Sequence, residues 1–180
     1  LSTRGGGERL SFRTTILAGL ARDGGLLLPA EIPDVRGRLA EWASLGYADL
    51  AFEIIRLYAD DLDAATLRSL IRRSYAAFRH PEVTPVVQIG DLHMLELFHG
   101  PTLAFKDLAL QVLGNLFEEV LGDGGRELNI VAATSGDTGS AAIQGIRGRR
   151  RMRIFVLHPH GRISPVQALQ MTSVLDGNVH

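Results

Sequence analysis

Residues 128–140 read LNIVAATSGDTGS, an apolar run that ends in small and polar residues. The apolar part, residues 128–133, predicts a buried strand. The next six residues, 134–139, predict a turn, because glycines allow backbone conformations that other residues avoid. A helix of small residues is predicted from Ser140 to about Ile146. A strand that feeds a helix in this way is the first half of a parallel α/β unit.

The alternation of strand and helix continues after this stretch. Residues 153–157 predict a second strand, and Ser164 with Gln167 matches the capping box that begins a helix. Strand, helix, strand and helix in short units predict a parallel sheet with right-handed crossovers. Val179 and His180 look like the first residues of a further strand. We therefore expect an α/β fold of which this chain is the front part, truncated at the C-terminus, in a longer protein.

The region before this alternation has a different pattern. Helical spacing of apolar residues dominates residues 1–84, which we expect to form a mostly helical region. Residues 85–180 are expected to form the first part of the α/β domain. At the start of that domain, residues 85–89 and 94–98 predict two strands joined at Gly90 in a hairpin.

The composition argues against several classes of function. The chain has 180 residues, of which 46% are hydrophobic, and its formal net charge is −1. A near-neutral charge argues against nucleic acid or an anionic membrane as the main partner. The absence of cysteine excludes disulfides and thiolate metal sites, and it fits a cytoplasmic enzyme. The histidines do not form a metal-binding set, so no metal is expected, and no apolar run reaches the ~18 residues that a membrane span needs.

The basic residues are unevenly chosen, with 18 arginines and a single lysine, Lys106. An arginine-rich codon bias could produce this ratio, but it leaves open why one lysine is retained. An arginine side chain stays protonated and forms no Schiff base, whereas a lysine amine can lose its proton and attack a carbonyl. Lys106 also lies near the start of a helix predicted from about Phe105 to Leu121. It is therefore a candidate covalent catalyst, and the alternative is a surface lysine that begins an amphipathic helix.

The turn at residues 134–139 is a candidate anion site. Glycines let the backbone approach a ligand, and unpaired N–H groups at a helix N-terminus favour a carboxylate or a phosphate. The alternative is helix capping by Asp137 or Thr138, which needs no ligand. The stretch matches neither common nucleotide-binding motif. At residues 158–165, capping together with a solvated Arg162 is the better interpretation.

Five motifs occur in order over nearly the whole chain. They are STRG at 2–5, GLARDGGL at 19–26, HGPTLAFKD at 99–107, TSGDTG at 134–139 and HPHGRISPVQ at 158–167. Taken together, these motifs resemble the threonine synthase family, pyridoxal-phosphate enzymes of the tryptophan-synthase-β-like class (fold type II).

The resemblance implies a reaction and a role for each motif. Lys106 would hold pyridoxal 5′-phosphate as a Schiff base and then move protons. The substrate would be O-phospho-L-homoserine, converted with water to L-threonine and phosphate by γ-elimination and β-addition. Asp137 would lie near the 3′-oxygen of the cofactor, and Ser135 and Thr138 would be the main carboxylate contacts. The loop that grips the substrate carboxylate would consist of Ser135, Gly136, Asp137, Thr138 and Gly139.

The resemblance also leaves parts of the site outside this chain. In the family, the glycine-rich loop that cradles the cofactor phosphate comes later, so the 180 residues alone are expected to be inactive. Three alternatives stay open. They are a threonine-synthase-like phospho-lyase that releases 2-oxobutyrate, a non-catalytic binding protein on the same scaffold, and a plain anion-binding α/β domain. In the enzyme interpretation the partner is the small-molecule substrate, with no nucleic acid and no membrane.

Overall fold

Helices build the first unit of the chain, residues 1–72. The computed structural model describes residues 1–122 and 124–180. The described helices that lie within this unit are α1 (Phe12–Ala18), α2 (Leu39–Trp42) and α3 (Tyr47–Ile55), with a 3₁₀ turn at Arg36–Arg38. Helix α4 (Ala64–Tyr75) begins in this unit, and its last three residues belong to the second unit. Its buried side chains include Trp42, Phe52, Leu67 and Ile71.

The second unit, residues 73–180, opens with a β-hairpin. Strands β1 (Val86–Ile89) and β2 (Leu92–Leu95) are antiparallel. The prediction of a second strand at residues 94–98 is wrong by two residues at its start and by three at its end. Ile89 pairs with Leu92 across a two-residue turn at Gly90, whose φ is 60°. The tight turn sets the register, and so pairing begins earlier than the apolar run suggests.

Three helices and a parallel sheet complete the second unit. In chain order they are α5 (Asp107–Leu121), β3 (Leu128–Ala133), α6 (Asp137–Ile146), β4 (Met152–Leu157) and α7 (Pro165–Thr172). Strands β3 and β4 are parallel, with Leu128 opposite Met152. Val179 forms a further parallel bridge to Ile154, as expected for the first residues of another strand. None of the helices in the described part of the chain is long and apolar enough to span a membrane.

The two faces of this sheet differ in burial. Helix α6 packs against one face, where Met152 and Ile154 are at most 1% exposed. On the other face Val131 is 69% exposed and Leu157 is 62% exposed. The strand predicted at residues 128–133 is confirmed, but its burial is not: half-buried and exposed residues alternate along β3, because α6 covers only one face of the sheet.

Helix α6 begins at Asp137, three residues before the predicted start at Ser140. The Thr134 hydroxyl oxygen accepts hydrogen bonds from the N–H groups of Gly136 and Gly139, each at 3.1 Å. These bonds satisfy N–H groups at the helix N-terminus, which have no partner within the helix. The SGDTG motif therefore spans both the loop after β3 and the first turn of α6.

Helices α5 and α6 approach closely through two glycines. A Cβ atom built at Gly145 would lie 2.6 Å from the carbonyl oxygen of Leu110, and one at Gly114 would collide with the carbonyl oxygen of Gly145. Neither position has room for a methyl group, because both obstacles are backbone atoms. The glycines therefore set the separation of these two helices.

We expect Gly114→Ala to lower the free energy of unfolding by about 2 kcal/mol, because the added methyl forces the packed helices apart. Urea unfolding of the chain measures the change. Gly177→Ala is the matched control, since a Cβ there meets nothing within 4 Å, and its effect should stay within about 0.5 kcal/mol. Equal effects of the two substitutions would contradict the proposed role of the close approach.

Candidate active site

Lys106 lies immediately before the first residue of α5. Its side chain is half-buried, and its amine nitrogen lies 5.0 Å from the centre of the Phe105 ring. No carboxylate within residues 1–122 and 124–180 forms an ion pair with this amine. The carboxylate of the next residue, Asp107, is instead directed into the interior of the unit. The lysine amine is thus left without a competing acidic partner.

Asp107 is fully buried and organises the turn that carries the lysine. Its Oδ2 accepts from the N–H of Thr102 at 2.8 Å, and its Oδ1 accepts from the Thr102 hydroxyl at 2.9 Å. Gln111, one turn further along α5, donates to the same Oδ1 at 3.1 Å. Three donors therefore hold one buried carboxylate, and two of them belong to the segment just before Lys106.

We call residues 100–106 the lysine loop. A Cβ atom at Gly100 would collide with the Asp107 side chain, so only glycine fits at the start of the loop. Leu103 has a φ of 63°, a left-handed conformation that is uncommon for a residue with a branched side chain. Such strain persists only when the surroundings fix the backbone. Here the bonds between Thr102 and Asp107 supply that constraint.

The second predicted site segment, residues 134–139, follows β3, and we call it the glycine loop. Gly136 has a φ of 149°, and a Cβ atom there would collide with Gln167. In the described part of the chain nothing accepts from the N–H groups of Ser135, Asp137 and Thr138. The hydroxyls of Ser135 and Thr138 are likewise without a hydrogen-bond partner among those residues, and both residues are exposed.

These free donors give the glycine loop the chemistry of an anion site. The N–H groups of Asp137 and Thr138 lie in the first turn of α6 and carry partial positive charge, and the N–H of Ser135 and the two hydroxyls can add hydrogen bonds. Asp137 opposes an anion by its charge, but its carboxylate is engaged by Gln167, whose Nε2 donates to Oδ1 at 2.5 Å. Capping by Thr134 leaves Ser135 and Thr138 available for a ligand.

The third predicted segment, residues 158–165, is used mainly for capping. The hydroxyl oxygen of Ser164 accepts from the N–H of Gln167 at 3.2 Å, and Pro165 is the first residue of α7. The capping prediction is confirmed. Arg162 is exposed, and its side chain pairs with no carboxylate among the residues that the structure describes.

Helix α7 brings the lysine loop and the glycine loop together. Gln170 donates from Nε2 to the carbonyl oxygen of Thr102 at 3.1 Å and accepts from the Ser140 hydroxyl at 3.4 Å. Gln167, one turn earlier, binds Asp137. The glycine loop also lies at the carboxyl end of the parallel sheet, which is where open α/β folds bind ligands. The loop that carries the single lysine and the loop that carries the free donors are thus linked through α7.

Comparison with known proteins agrees with the sequence motifs. A family model described as "Threonine synthase N terminus" matches residues 1–75. Threonine synthase from Schizosaccharomyces pombe is 50% identical over 192 residues, which cover 100% of this chain and 37% of that protein. Threonine synthase from Eremothecium gossypii is 52% identical over 197 residues, which cover 99% of this chain and 38% of that protein.

Solved structures give the same result. The PLP-bound threonine synthase from Brucella melitensis matches with a TM-score of 0.92 at 45% identity, over 100% of this chain and 39% of that one. Over its whole length, the chain is similar to the N-terminal part of these threonine synthases. The predicted α/β fold, with a helical first part and the start of a parallel sheet, is confirmed. The chain spans 37–39% of the length of these threonine synthases.

Gln170, which links the two loops, was not among the residues predicted from the sequence. It follows Gln167 by three residues, so the two amides lie on the same face of α7. A pair of amides at this spacing next to a ligand-binding loop is a signal that could have been noticed. Nothing in the sequence, however, indicated Thr102 as a partner, because it lies 68 residues earlier.

Proposed function

We propose that this chain provides the lysine and the carboxylate-binding loop of a threonine synthase. The reaction is the conversion of O-phospho-L-homoserine and water to L-threonine and phosphate. The observation that carries the proposal is the junction at α7 between the loop of the only lysine and a helix N-terminus with free donors. A lysine for the carbonyl chemistry and an anion site for the α-carboxylate are the two features that this substrate class requires.

The site residues fit pyridoxal 5′-phosphate as the cofactor. Its aldehyde needs a lysine amine that is not held by an acidic neighbour, and Asp107 is turned away from Lys106 toward Thr102. When bound, the cofactor supplies an electron sink that makes the α-hydrogen of an amino acid removable.

Each residue of the proposed site then has a role. Lys106 would hold the cofactor covalently, and its amine nitrogen would move protons when the substrate is bound. Ser135 and Thr138 donate hydrogen bonds to the substrate α-carboxylate, while Gly136 and Gly139 allow its close approach. Asp137, whose orientation is fixed by Gln167, is proposed to lie beside the 3′-oxygen of the cofactor.

The proposal also includes the domain organisation of the chain and the cellular location of the enzyme. Residues 85–180 are the first part of the cofactor-binding domain, and residues 1–84 are a mostly helical region of their own. Because the chain spans less than two fifths of the length of the threonine synthases it matches, we propose that the 180 residues alone do not turn substrate over. The enzyme acts in the cytoplasm on a small-molecule substrate.

The test is a product assay on the full-length protein that contains this chain. The protein is incubated with pyridoxal 5′-phosphate and O-phospho-L-homoserine, and phosphate and organic products are measured together. We expect one threonine for each phosphate. Phosphate matched by 2-oxobutyrate would replace the synthase with a phospho-lyase. Cofactor-loaded protein that releases no phosphate would overturn the proposed reaction altogether.

A further inference from the structure

Gln170 uses both ends of its amide to connect two parts of the site. Its Nε2 donates to the carbonyl oxygen of Thr102 at 3.1 Å, and its Oε1 accepts from the hydroxyl of Ser140 at 3.4 Å. Thr102 lies in the lysine loop, and Ser140 lies in α6 directly after the glycine loop. One side chain therefore spans the two segments that would hold the reacting amine and the substrate carboxylate.

Both attachment points of this amide are themselves fixed. Thr102 donates its N–H and its hydroxyl to the fully buried carboxylate of Asp107. Ser140 is 3% exposed, and its N–H donates to the carbonyl oxygen of Gly136 at 3.3 Å. A contact between two anchored groups transmits position, whereas a contact between two mobile groups would not. Gln170 consequently relates the lysine loop to the first turn of α6.

The chemistry at the two ends requires an amide. The Thr102 carbonyl oxygen needs a donor, and the Ser140 hydroxyl needs an acceptor, and a primary amide offers both groups on one planar unit. A glutamate at position 170 would place an acceptor against the Thr102 carbonyl. A methionine has a similar length and flexibility but can make neither hydrogen bond with comparable strength.

We propose that Gln170 is a positioning residue that sets the separation between the Lys106 amine and the glycine loop. The inference rests on the proposed function, because it assigns a catalytic use to that separation. Proton transfer needs the donor and acceptor within hydrogen-bond reach, and a misplacement of about 1 Å can cost on the order of a hundredfold in rate. Gln167 does not duplicate this role, since it binds Asp137 and Ser164 but not the lysine loop.

The test compares Gln170→Met with Gln144→Met in the full-length, cofactor-loaded protein. Gln144 is a half-buried glutamine on α6 whose side chain makes no hydrogen bond among the described residues, so it controls for loss of an amide. For Gln170→Met we expect kcat for threonine formation to fall by about tenfold or more. We expect KM to stay within about threefold of the Gln144→Met value, and the midpoint of thermal unfolding to stay within about 3 °C of it. The reason is that Gln170→Met removes only two side-chain hydrogen bonds.

A second readout does not depend on turnover. Borohydride reduction of the cofactor-loaded protein, followed by mass spectrometry, measures the fraction of molecules in which Lys106 carries the cofactor. This fraction should be the same in both variants. Equal kcat values for the two variants would overturn the inference. So would a joint loss of kcat, thermal stability and cofactor attachment in Gln170→Met, because that pattern describes a structural residue. A wild-type protein that makes no threonine would instead overturn the proposed function, on which this inference depends.

A double-mutant cycle with Ser140→Ala adds a sharper criterion. If Gln170 acts through its bond to Ser140, part of the effect of each single substitution is shared, and the double variant should fall short of the product of the two single effects. Fully multiplicative effects on kcat would show that the two residues act independently. That result would contradict the proposal that Gln170 positions the lysine loop relative to α6 through its bond to Ser140.

Discussion

Lys106→Arg is expected to lower the rate of threonine formation by about a thousandfold or more in the full-length protein. An arginine guanidinium keeps its proton at any pH that the protein tolerates, so it can neither bond to an aldehyde nor accept a proton. General acid–base catalysis alone is worth on the order of a hundred- to ten-thousandfold. Because arginine preserves the charge and most of the length of the side chain, the fall in rate reports the loss of the amine's chemistry.

The single lysine of this chain allows a direct check of the same prediction. Pyridoxal 5′-phosphate followed by borohydride should modify Lys106, as found by peptide mass spectrometry, and the modification should be absent in Lys106→Arg. Arg150→Lys is the matched control, because Arg150 is exposed and makes no side-chain contact within the described residues. The introduced lysine should be modified far less than Lys106. Equal modification of the two would contradict a special role for Lys106.

The parallel sheet could be predicted because its strands have strong local signals. The apolar runs at residues 128–133 and 153–157 coincide with β3 and β4 to within one residue. A short apolar run that is bounded by turn residues and contains β-branched residues favours a strand over a helix, and both features can be read from the sequence. Burial was predicted less well, since the exposure of Val131 depends on which face α6 covers, and that is a property of packing.

The errors in element boundaries have identifiable causes. Helix α6 begins before Ser140 because the Thr134 hydroxyl accepts hydrogen bonds from the N–H groups of Gly136 and Gly139. The sequence had suggested Asp137 or Thr138 as the capping residue. Strand β2 begins at Leu92 because the turn at Gly90 sets the hairpin register. In both cases local contacts set the first residue of the element, and the apolar pattern alone did not distinguish between neighbouring start positions.

Candidate site residues could be predicted where the residue type or the local composition was distinctive. Lys106 was identified because its residue type occurs once, and the glycine loop because its composition is typical of ligand-binding turns. Gln170 carries no such mark, and its partners Thr102 and Ser140 lie 68 and 30 residues away in sequence. Contacts of this kind depend on the fold, so a local sequence pattern cannot reveal them.

The second large effect concerns the carboxylate next to the lysine. We expect Asp107→Asn to lower the free energy of unfolding by about 2–3 kcal/mol. Asp107 is 0% exposed and accepts three hydrogen bonds, two from Thr102 and one from Gln111. Asparagine keeps the shape but replaces one acceptor oxygen by an amide group that donates. At least one buried donor is then left without an acceptor, which costs about 1–3 kcal/mol, and the bonds to a charged acceptor are lost as well.

Urea unfolding of the chain with Asp91→Asn as the control tests this expectation. Asp91 lies exposed in the hairpin turn and accepts no hydrogen bond among the described residues, so its substitution should change stability by less than about 0.5 kcal/mol. Thr102→Val should give an intermediate loss, because it removes only the hydroxyl bond to Asp107. If Asp107→Asn were no worse than Asp91→Asn, the carboxylate could not be what fixes the lysine loop. The left-handed backbone at Leu103 would then be held by other contacts, such as the bonds from the Leu103 N–H to the Gly100 carbonyl oxygen and from Gln170 to the Thr102 carbonyl oxygen.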